Sequence, residues 1–207
     1  MIEIPALAMI IGVAAFAITG VIAGARQDAN IFTVVILGVV TAVGGGTVRD
    51  VLLEVPIFWT EAFTLIWVAI AASCIAFFFA KHVITRLART FLYADAIGVA
   101  FFTIAAIDKT LLLGHTATVA VTMGFVTACM GGVVRDLLTG TPPLIIASED
   151  LFVTPAVVGG VLYAVLLKTM PAYVDIWAIV AIGFIIAFRI YAIRTSLQYP
   201  SKLRMHF

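Results

Sequence analysis

The sequence predicts an all-α membrane protein, with seven transmembrane helices arranged as two inverted three-helix repeats plus a seventh helix. Three observations predict it. The 207 residues are 64% hydrophobic and only 11% charged, with a mean hydropathy of +1.22, whereas soluble domains are about half apolar and about a quarter charged. Seven apolar runs come close to the roughly 20 residues that a bilayer core of about 30 Å requires. The chain also resembles itself at an offset of 86 residues.

The runs cover roughly 5–24, 31–53, 62–80, 91–107, 116–138, 152–168 and 175–193. The first opens from "MIEIPALAM", which lacks a basic n-region and carries Glu3, so it is expected to remain as a span and not to be cleaved as a signal peptide. Polar segments separate the runs: "ARQDAN", "EVPIFWTE", "KHVITRLART", "DKTLLLGH", "TGTPPLIIASED" and "KTMPAYVD". Each is short, which makes consecutive helices antiparallel neighbours. Residues 1–207 therefore read as one transmembrane domain. Repeat 1 covers about 5–80, repeat 2 about 91–168 and the seventh helix about 175–193, and a basic tail, 194–207, is expected to reach into cytoplasmic water.

Orientation follows from the lysines and arginines. One side collects Arg26, Lys81, Arg86, Arg89, Arg135, Arg189, Arg194, Lys202 and Arg204; the other has Arg49, Lys109 and Lys168. Without the motif arginines 49 and 135 the balance is eight to two. This places the N-terminus outside and the C-terminus in the cytoplasm of a multi-pass protein of the inner membrane. Phe58, Trp59, Tyr93, Tyr173 and Trp177 stand near span ends, as interfacial aromatics do. Cys74 and Cys129 sit in apolar runs without metal-ligand spacing and read as small core residues. A net charge of +1 argues against a nucleic-acid partner.

Shifted by 86 residues, "IGVAAFAI" (11–18) lies on "IGVAFFTI" (97–104) with six of eight identities. The same shift lays 35–56 over 121–142 with 12 of 22 identities, including Gly45/Gly131, Gly46/Gly132, Arg49/Arg135, Asp50/Asp136 and Pro56/Pro142. A unit of three spans is odd, so the two copies enter the membrane from opposite sides. Their relation is a pseudo-two-fold axis in the membrane plane, an architecture of transporters and channels with the working site at the repeat interface.

Spans 2 and 5 carry "GGGTVRD" and "GGVVRD". Gly44, Gly45 and Gly46, with Gly131 and Gly132, weaken a helix by about 1 kcal/mol each relative to alanine. A kink or a short unwound stretch is expected there, lining water with freed carbonyls; the alternative role is close helix packing, which suits Gly20 and Gly24 of span 1. Arg49–Asp50 and Arg135–Asp136 are sequence neighbours, about 100° apart on a helix, so each side chain is expected to find another partner or water. Lining a path inside the hydrocarbon is one role for them and snorkelling from a span end is the other. In the lining role the aspartates attract cations and the arginines brace a gate. Asp95, opening span 4, reads equally as a further pore charge or as a helix N-terminal acid. Asp108 and Lys109 read as a solvated turn. His82, His115 and His206 have no metal spacing, and no catalytic or cofactor fingerprint is present.

Together, "FAITG" (16–20), "LGVVTAVGGGTVRDVLL" (37–53), "DAIGVAFF" (95–102) and "GGVVRD" (131–136) resemble the bacterial trimeric intracellular cation (TRIC) channel family, which overlaps bacterial membrane proteins described as glycine transporters. The resemblance covers roughly 5–193. It implies seven spans, two inverted repeats, a homotrimer, and an ion path within each protomer between kinked helices 2 and 5, for potassium with modest selectivity over sodium. With no catalytic, cofactor or metal-ligand pattern in the residues, no cofactor, no metal beyond passing potassium or sodium, and no enzyme activity is expected. Membrane lipids are its other partners. The kink glycines would be Gly44, Gly45, Gly46, Gly131 and Gly132, and the motif charges Arg49, Asp50, Arg135 and Asp136. Met130 stands where many relatives have a third glycine, and the lysine- and glutamate-bearing motif of animal members is absent. A secondary transporter of a small amino acid such as glycine is the alternative, and a scaffold without transport is the weakest reading.

Overall fold

The computed structural model describes residues 4–83, 87–147 and 151–198. Nine α-helices and one 3-10 turn make up the described chain: α1 (Ile4–Ala25), α2 (Ile31–Leu52), α3 (Phe58–Glu61), α4 (Thr64–Val83), α5 (Leu87–Leu112), α6 (Ala117–Leu138), α7 (Leu144–Ala147), α8 (Thr154–Thr169), the turn Pro171–Tyr173, and α9 (Val174–Thr195). Five of them are long and apolar enough to cross a membrane, and Thr64–Phe79 and Thr154–Thr169 are shorter apolar helices. Arg86, Lys202, Arg204 and His206, and the side chains of Lys81, His82 and Arg89, lie outside the described residues.

Helix boundaries follow local chemistry, and the chemistry recurs 86 residues on. Asn30 caps α2 by accepting from the Thr33 N–H, and Thr116 caps α6 by accepting from the Val119 N–H. Asp28 and Gly114 take left-handed φ values of 52° and 84° in the preceding turns. At the other ends Leu53 and Thr139 donate to Arg49 O and Arg135 O, at 3.0 and 3.1 Å. Glu54 and Gly140 then turn left-handed, with φ of 54° and 65°. Val55 and Thr141 close the turn onto the carbonyls of Asp50 and Asp136. Pro56 and Pro142 follow, as prolines do past a helix end.

The α1 helix is central, packing on α2, α4 and α5, and α5 packs on α1, α6, α8 and α9. Their inner faces are built from small residues and phenylalanines: Ala17, Ala96 and Ala100 are fully covered, as are Phe16 and Phe102. A methyl group on Gly20 would fall 2.6 Å from Gly38 Cα, so α1 and α2 touch backbone to backbone. Gly20 thus serves close packing, as expected of it. Among the described residues the cysteines are free, Cys129 buried and Cys74 half-buried.

Three expectations need correction. The segments expected as plain connections contain α3 and α7, and Phe58, expected as an interfacial aromatic, is buried as the first residue of α3. The fourth apolar run, expected to end near 107, continues as helix to Leu112, and its apolar stretch is Thr90–Leu112 within an α5 that begins at Leu87. The tail is anchored at its root: α9 runs to Thr195, Ser196 caps it with a φ of 48°, and Leu197 accepts a bond of 3.0 Å from the Leu151 N–H.

Candidate functional site

The two glycine motifs meet where α2 crosses α6. A methyl on Gly45 would overlap the Thr127 carbonyl, and one on Gly131 would lie 2.5 Å from the Thr41 carbonyl. Thr127 is the mate of Thr41 and Gly131 the mate of Gly45. Such exchanged contacts are the mark of a two-fold relation between surfaces, and because 41 pairs with 131 and 45 with 127, the helices run antiparallel. Both threonine hydroxyls are occupied in their own helices, donating to Leu37 O at 2.6 Å and Met123 O at 2.7 Å. The expected unwound stretch is not there: α2 and α6 continue as helices through Gly44, Gly45, Gly46, Gly131 and Gly132. The space left by absent side chains is filled by the other helix, by Phe58, whose ring a methyl on Gly46 would strike, or, at Gly132, by the Arg135 guanidinium of the same helix. Only Gly44 has slack, with nothing nearer than 3.8 Å to an added Cβ.

One turn beyond the crossing on α2 lies the first charged motif. Arg49 and Asp50 are 1% and 0% exposed. Contrary to the expectation for sequence neighbours, they bind each other: the guanidinium folds back and sets both Nε and Nη2 at 2.8 Å from Asp50 Oδ1. The long arginine stem outreaches the 100° offset, and Nε makes the hydrogen bond while Nη2 adds its charge at the same oxygen. Lys109 of α5 brings Nζ to 2.9 Å from the same oxygen. The second oxygen, Oδ2, accepts the Phe58 N–H at 2.8 Å, satisfying a backbone donor that every helix start leaves open. Trp59 adds a bond from Nε1 to Thr47 Oγ1 of 2.9 Å, so α3 is tied to α2 twice.

The second motif repeats this construction and extends it. Arg135 Nε lies 2.8 Å from Asp136 Oδ1, and Asp136 Oδ2 accepts the Leu144 N–H at the start of α7 at 2.9 Å. Leu144 is the mate of Phe58. Arg135 Nη1 also donates to Thr19 Oγ1 at 2.9 Å and to Asp95 Oδ1 at 3.2 Å. Asp95 Oδ2 faces Arg189 Nη2 of α9 at 3.7 Å. The Arg135 guanidinium rests on the Phe91 ring, 4.5 Å from its centroid. The mates of Asp95, Thr19 and Lys109 are Met9, Ala105 and Ala23, so the two ends share their motif but not their surroundings.

These contacts revise other sequence readings. Asp95 is not a helix N-terminal acid; it stands two turns inside α5, 1% exposed. Asp108 and Lys109 are not a solvated turn, because α5 continues to Leu112. Asp108 accepts from the buried Tyr163 hydroxyl, and Lys109 completes the first motif. Arg189 is not a cytoplasmic surface charge: it is 1% exposed. Sequence reasoning missed Lys109, Thr19, Arg189, Phe58 and Leu144. Phe58 and Leu144 carried a signal, since both follow the repeated proline by two residues.

Antiparallel apolar helices that cross on glycine, with buried arginine–aspartate pairs beyond the crossing on either side, define a multi-pass α-helical membrane protein. The family model described as "Glycine transporter" matches residues 6–81 and again 92–168, and the chain belongs to that TRIC-like family. It is 33% identical over 194 residues to the Escherichia coli K12 "UPF0126 inner membrane protein YadS", covering 93% of each chain. It is 35% identical over 154 residues to a "UPF0126 membrane protein" of Vibrio cholerae, a match spanning 73% of this chain and 64% of that protein. Among solved structures, the "TRIC trimeric intracellular cation channel orthologue from Rhodobacter sphaeroides" superposes with a TM-score of 0.87 at 30% identity, over 94% of this chain and 99% of that one.

Proposed function

We propose that this protein is a channel for monovalent cations, chiefly potassium, in the bacterial inner membrane. In this reading the five long apolar helices and the two shorter ones, α4 and α8, all cross the bilayer, as two inverted repeats of about 5–80 and 91–168 with α9 added. The protomer assembles as a homotrimer, and each copy holds its own path between α2 and α6. The N-terminus faces outside and the C-terminus the cytoplasm.

The observation that carries the reading is the exchanged Gly45–Thr127 and Gly131–Thr41 contact, flanked on each side by a buried Arg–Asp pair. Four residues separate each pair from its glycine, about 6 Å along a helix. A path through this point has one narrow crossing and a charged closure beyond it on either side. Charges so placed inside a membrane are rare, are kept by pairing or by facing a cavity, and mark ion pathways. The 30% identical Rhodobacter sphaeroides trimeric intracellular cation channel orthologue supports the same reading. With every motif carboxylate bonded, the described conformation is a closed one. Opening requires α2 and α6 to bend at their glycines and the Arg–Asp pairs to turn toward water. The Lys109–Asp50 bond, whose lysine is 27% exposed, is the accessible point at which to begin.

Purified protein in a planar bilayer with asymmetric potassium chloride tests this. Discrete currents reversing near the potassium potential are expected. A carrier of a small amino acid is the second reading, favoured by the family description "Glycine transporter" and by like closures at both ends of one crossing, which suit alternating access. Silent bilayers together with saturable glycine uptake into liposomes would overturn the channel in its favour.

A further inference from the structure

Two buried charges depart from the 86-residue symmetry, and both stand at the second motif. Asp95 takes the place that Met9 has on α1, and Arg189 comes from α9, which lies outside the repeats. Together with Arg135 and Asp136 they form a cluster of two arginines and two aspartates, none more than 4% exposed. Its formal charge is zero, whereas the first motif, with Arg49, Lys109 and Asp50, carries +1. The second closure is therefore the better balanced, and it has no member as exposed as Lys109 at the first.

Arg189 also grips the segment that covers this cluster. Its Nη1 donates to Leu151 O at 3.3 Å, and its guanidinium lies 4.5 Å from the centre of the Phe152 ring. A few residues on, Leu197 accepts from the Leu151 N–H and donates to Ala192 O, each at 3.0 Å. Residues 151–152 are thus held at two points, Arg189 of α9 and Leu197 just past its end. Phe152, Cys129, Gly132, Arg135 and Asp136 enclose one space between them that is too tight for a water molecule.

We propose that Asp95 and Arg189 are positioning residues that lock the second-motif end of the crossing: α9 holds Arg135 through Asp95, holds Phe152 through Arg189, and so keeps water from Cys129. The inference deepens the reading of the crossing as the route and rests on it only for what the lock serves. It predicts unequal closures, one sealed from within by α9 and one tied at its rim by Lys109.

The test uses Cys129 as its reporter, in full-length protein in sealed vesicles with Cys74 replaced by serine. Single removal of Asp95 or Arg189 strands a buried charge, so the decisive variant is D95N/R189Q, which keeps the charge sum and leaves Arg135–Asp136 paired as at the first motif. The probe is a charged, membrane-impermeant methanethiosulfonate applied to either face. Labelling of Cys129 should speed up about tenfold or more, the factor that about 1.4 kcal/mol in an opening equilibrium produces. R189K keeps the charge but loses the planar face for Phe152 and the fork toward Leu151; it should label faster than wild type and slower than the double variant. If the double variant does not fold, R189K decides, and a wild-type rate in either folded variant overturns the lock. Faster labelling with silent bilayers upholds the lock and removes the channel reading. Unchanged labelling with normal potassium currents does the opposite.

Discussion

Phe16 of α1 and Phe102 of α5 are mates in the repeat, and their rings meet with centroids 5.1 Å apart at a tilt of 41°. Each also fills the hollow of the other's partner glycine: a methyl on Gly98 would overlap the Phe16 ring, and one on Gly12 would lie 3.3 Å from the Phe102 ring. A residue that touches its own mate sits on the axis relating the two halves. The contact between α1 and α5 is therefore a second two-fold seam beside that of α2 and α6.

Truncating this seam should be expensive. Phe16 is 1% exposed and also lies 3.1 Å from where a methyl on Gly131 would stand. Phe16→Ala should lower unfolding stability in detergent by about 3–5 kcal/mol, the usual cost of a buried phenylalanine. F16A/F102A should lose less than the sum of the single changes, because the rings share one contact. Additive losses in thermal melts would mean that the rings act independently.

The glycines of the first motif should separate cleanly on mutation. Gly45→Ala drives a methyl into the Thr127 carbonyl, which is backbone and cannot step aside, whereas Gly44→Ala meets nothing within 3.8 Å. Overpacking of this kind costs about 1–3 kcal/mol. Gly45→Ala and Gly131→Ala should lower both melting temperature and conductance, and Gly44→Ala should leave the melting temperature nearly unchanged. Equal behaviour at 44 and 45 would refute the crossing as the tight point.

Asp50 and Lys109 share a bond but not its value. Asp50→Asn leaves Arg49 buried without its charge partner, a loss of about 3–5 kcal/mol, and weakens the grip on α3. Lys109→Gln removes a partly exposed cation and should cost about 1 kcal/mol or less. Melting temperatures of the two variants measure the difference. In planar bilayers, folded D50N/D136N should show a reduced preference for cations. Unchanged reversal potentials would exclude the aspartates from selectivity.

Tyr163→Phe tests the joint between α5 and α8. It removes the hydroxyl that donates to Asp108 and strands a largely covered carboxylate, at about 1–3 kcal/mol. A lowered melting temperature is expected, with ion selectivity unchanged because Asp108 lies outside both motifs.

Much of this was legible in the chain. Apolar length located the five helices long enough to span a bilayer and the two shorter apolar ones, since such segments announce themselves by composition. The Gly-Gly-x-Val-Arg-Asp recurrence identified the two sequences that meet at the crossing. Partnerships across space were not legible. Nothing near Lys109 points to Asp50, 59 residues away, and Arg189 looked like one more positive charge beside a tail. The four-residue helices α3 and α7 are too short to show a period, so the backbone donors of Phe58 and Leu144 went unseen. The Arg–Asp neighbours misled for a different reason: the angular rule describes Cβ directions, and an arginine is long enough to bend back.

On α5, Asp95 and Lys109 stand 14 residues apart, about 21 Å along the axis, one reaching each motif, while α1 offers Met9 and Ala23 in their stead. A single three-helix unit, dropped into a bilayer both ways up and pairing with itself, would have to present the same chemistry to both compartments. Joining two copies in one gene frees each from that obligation. Those two side chains, with Thr19 and Arg189, make the two ends of the crossing unlike.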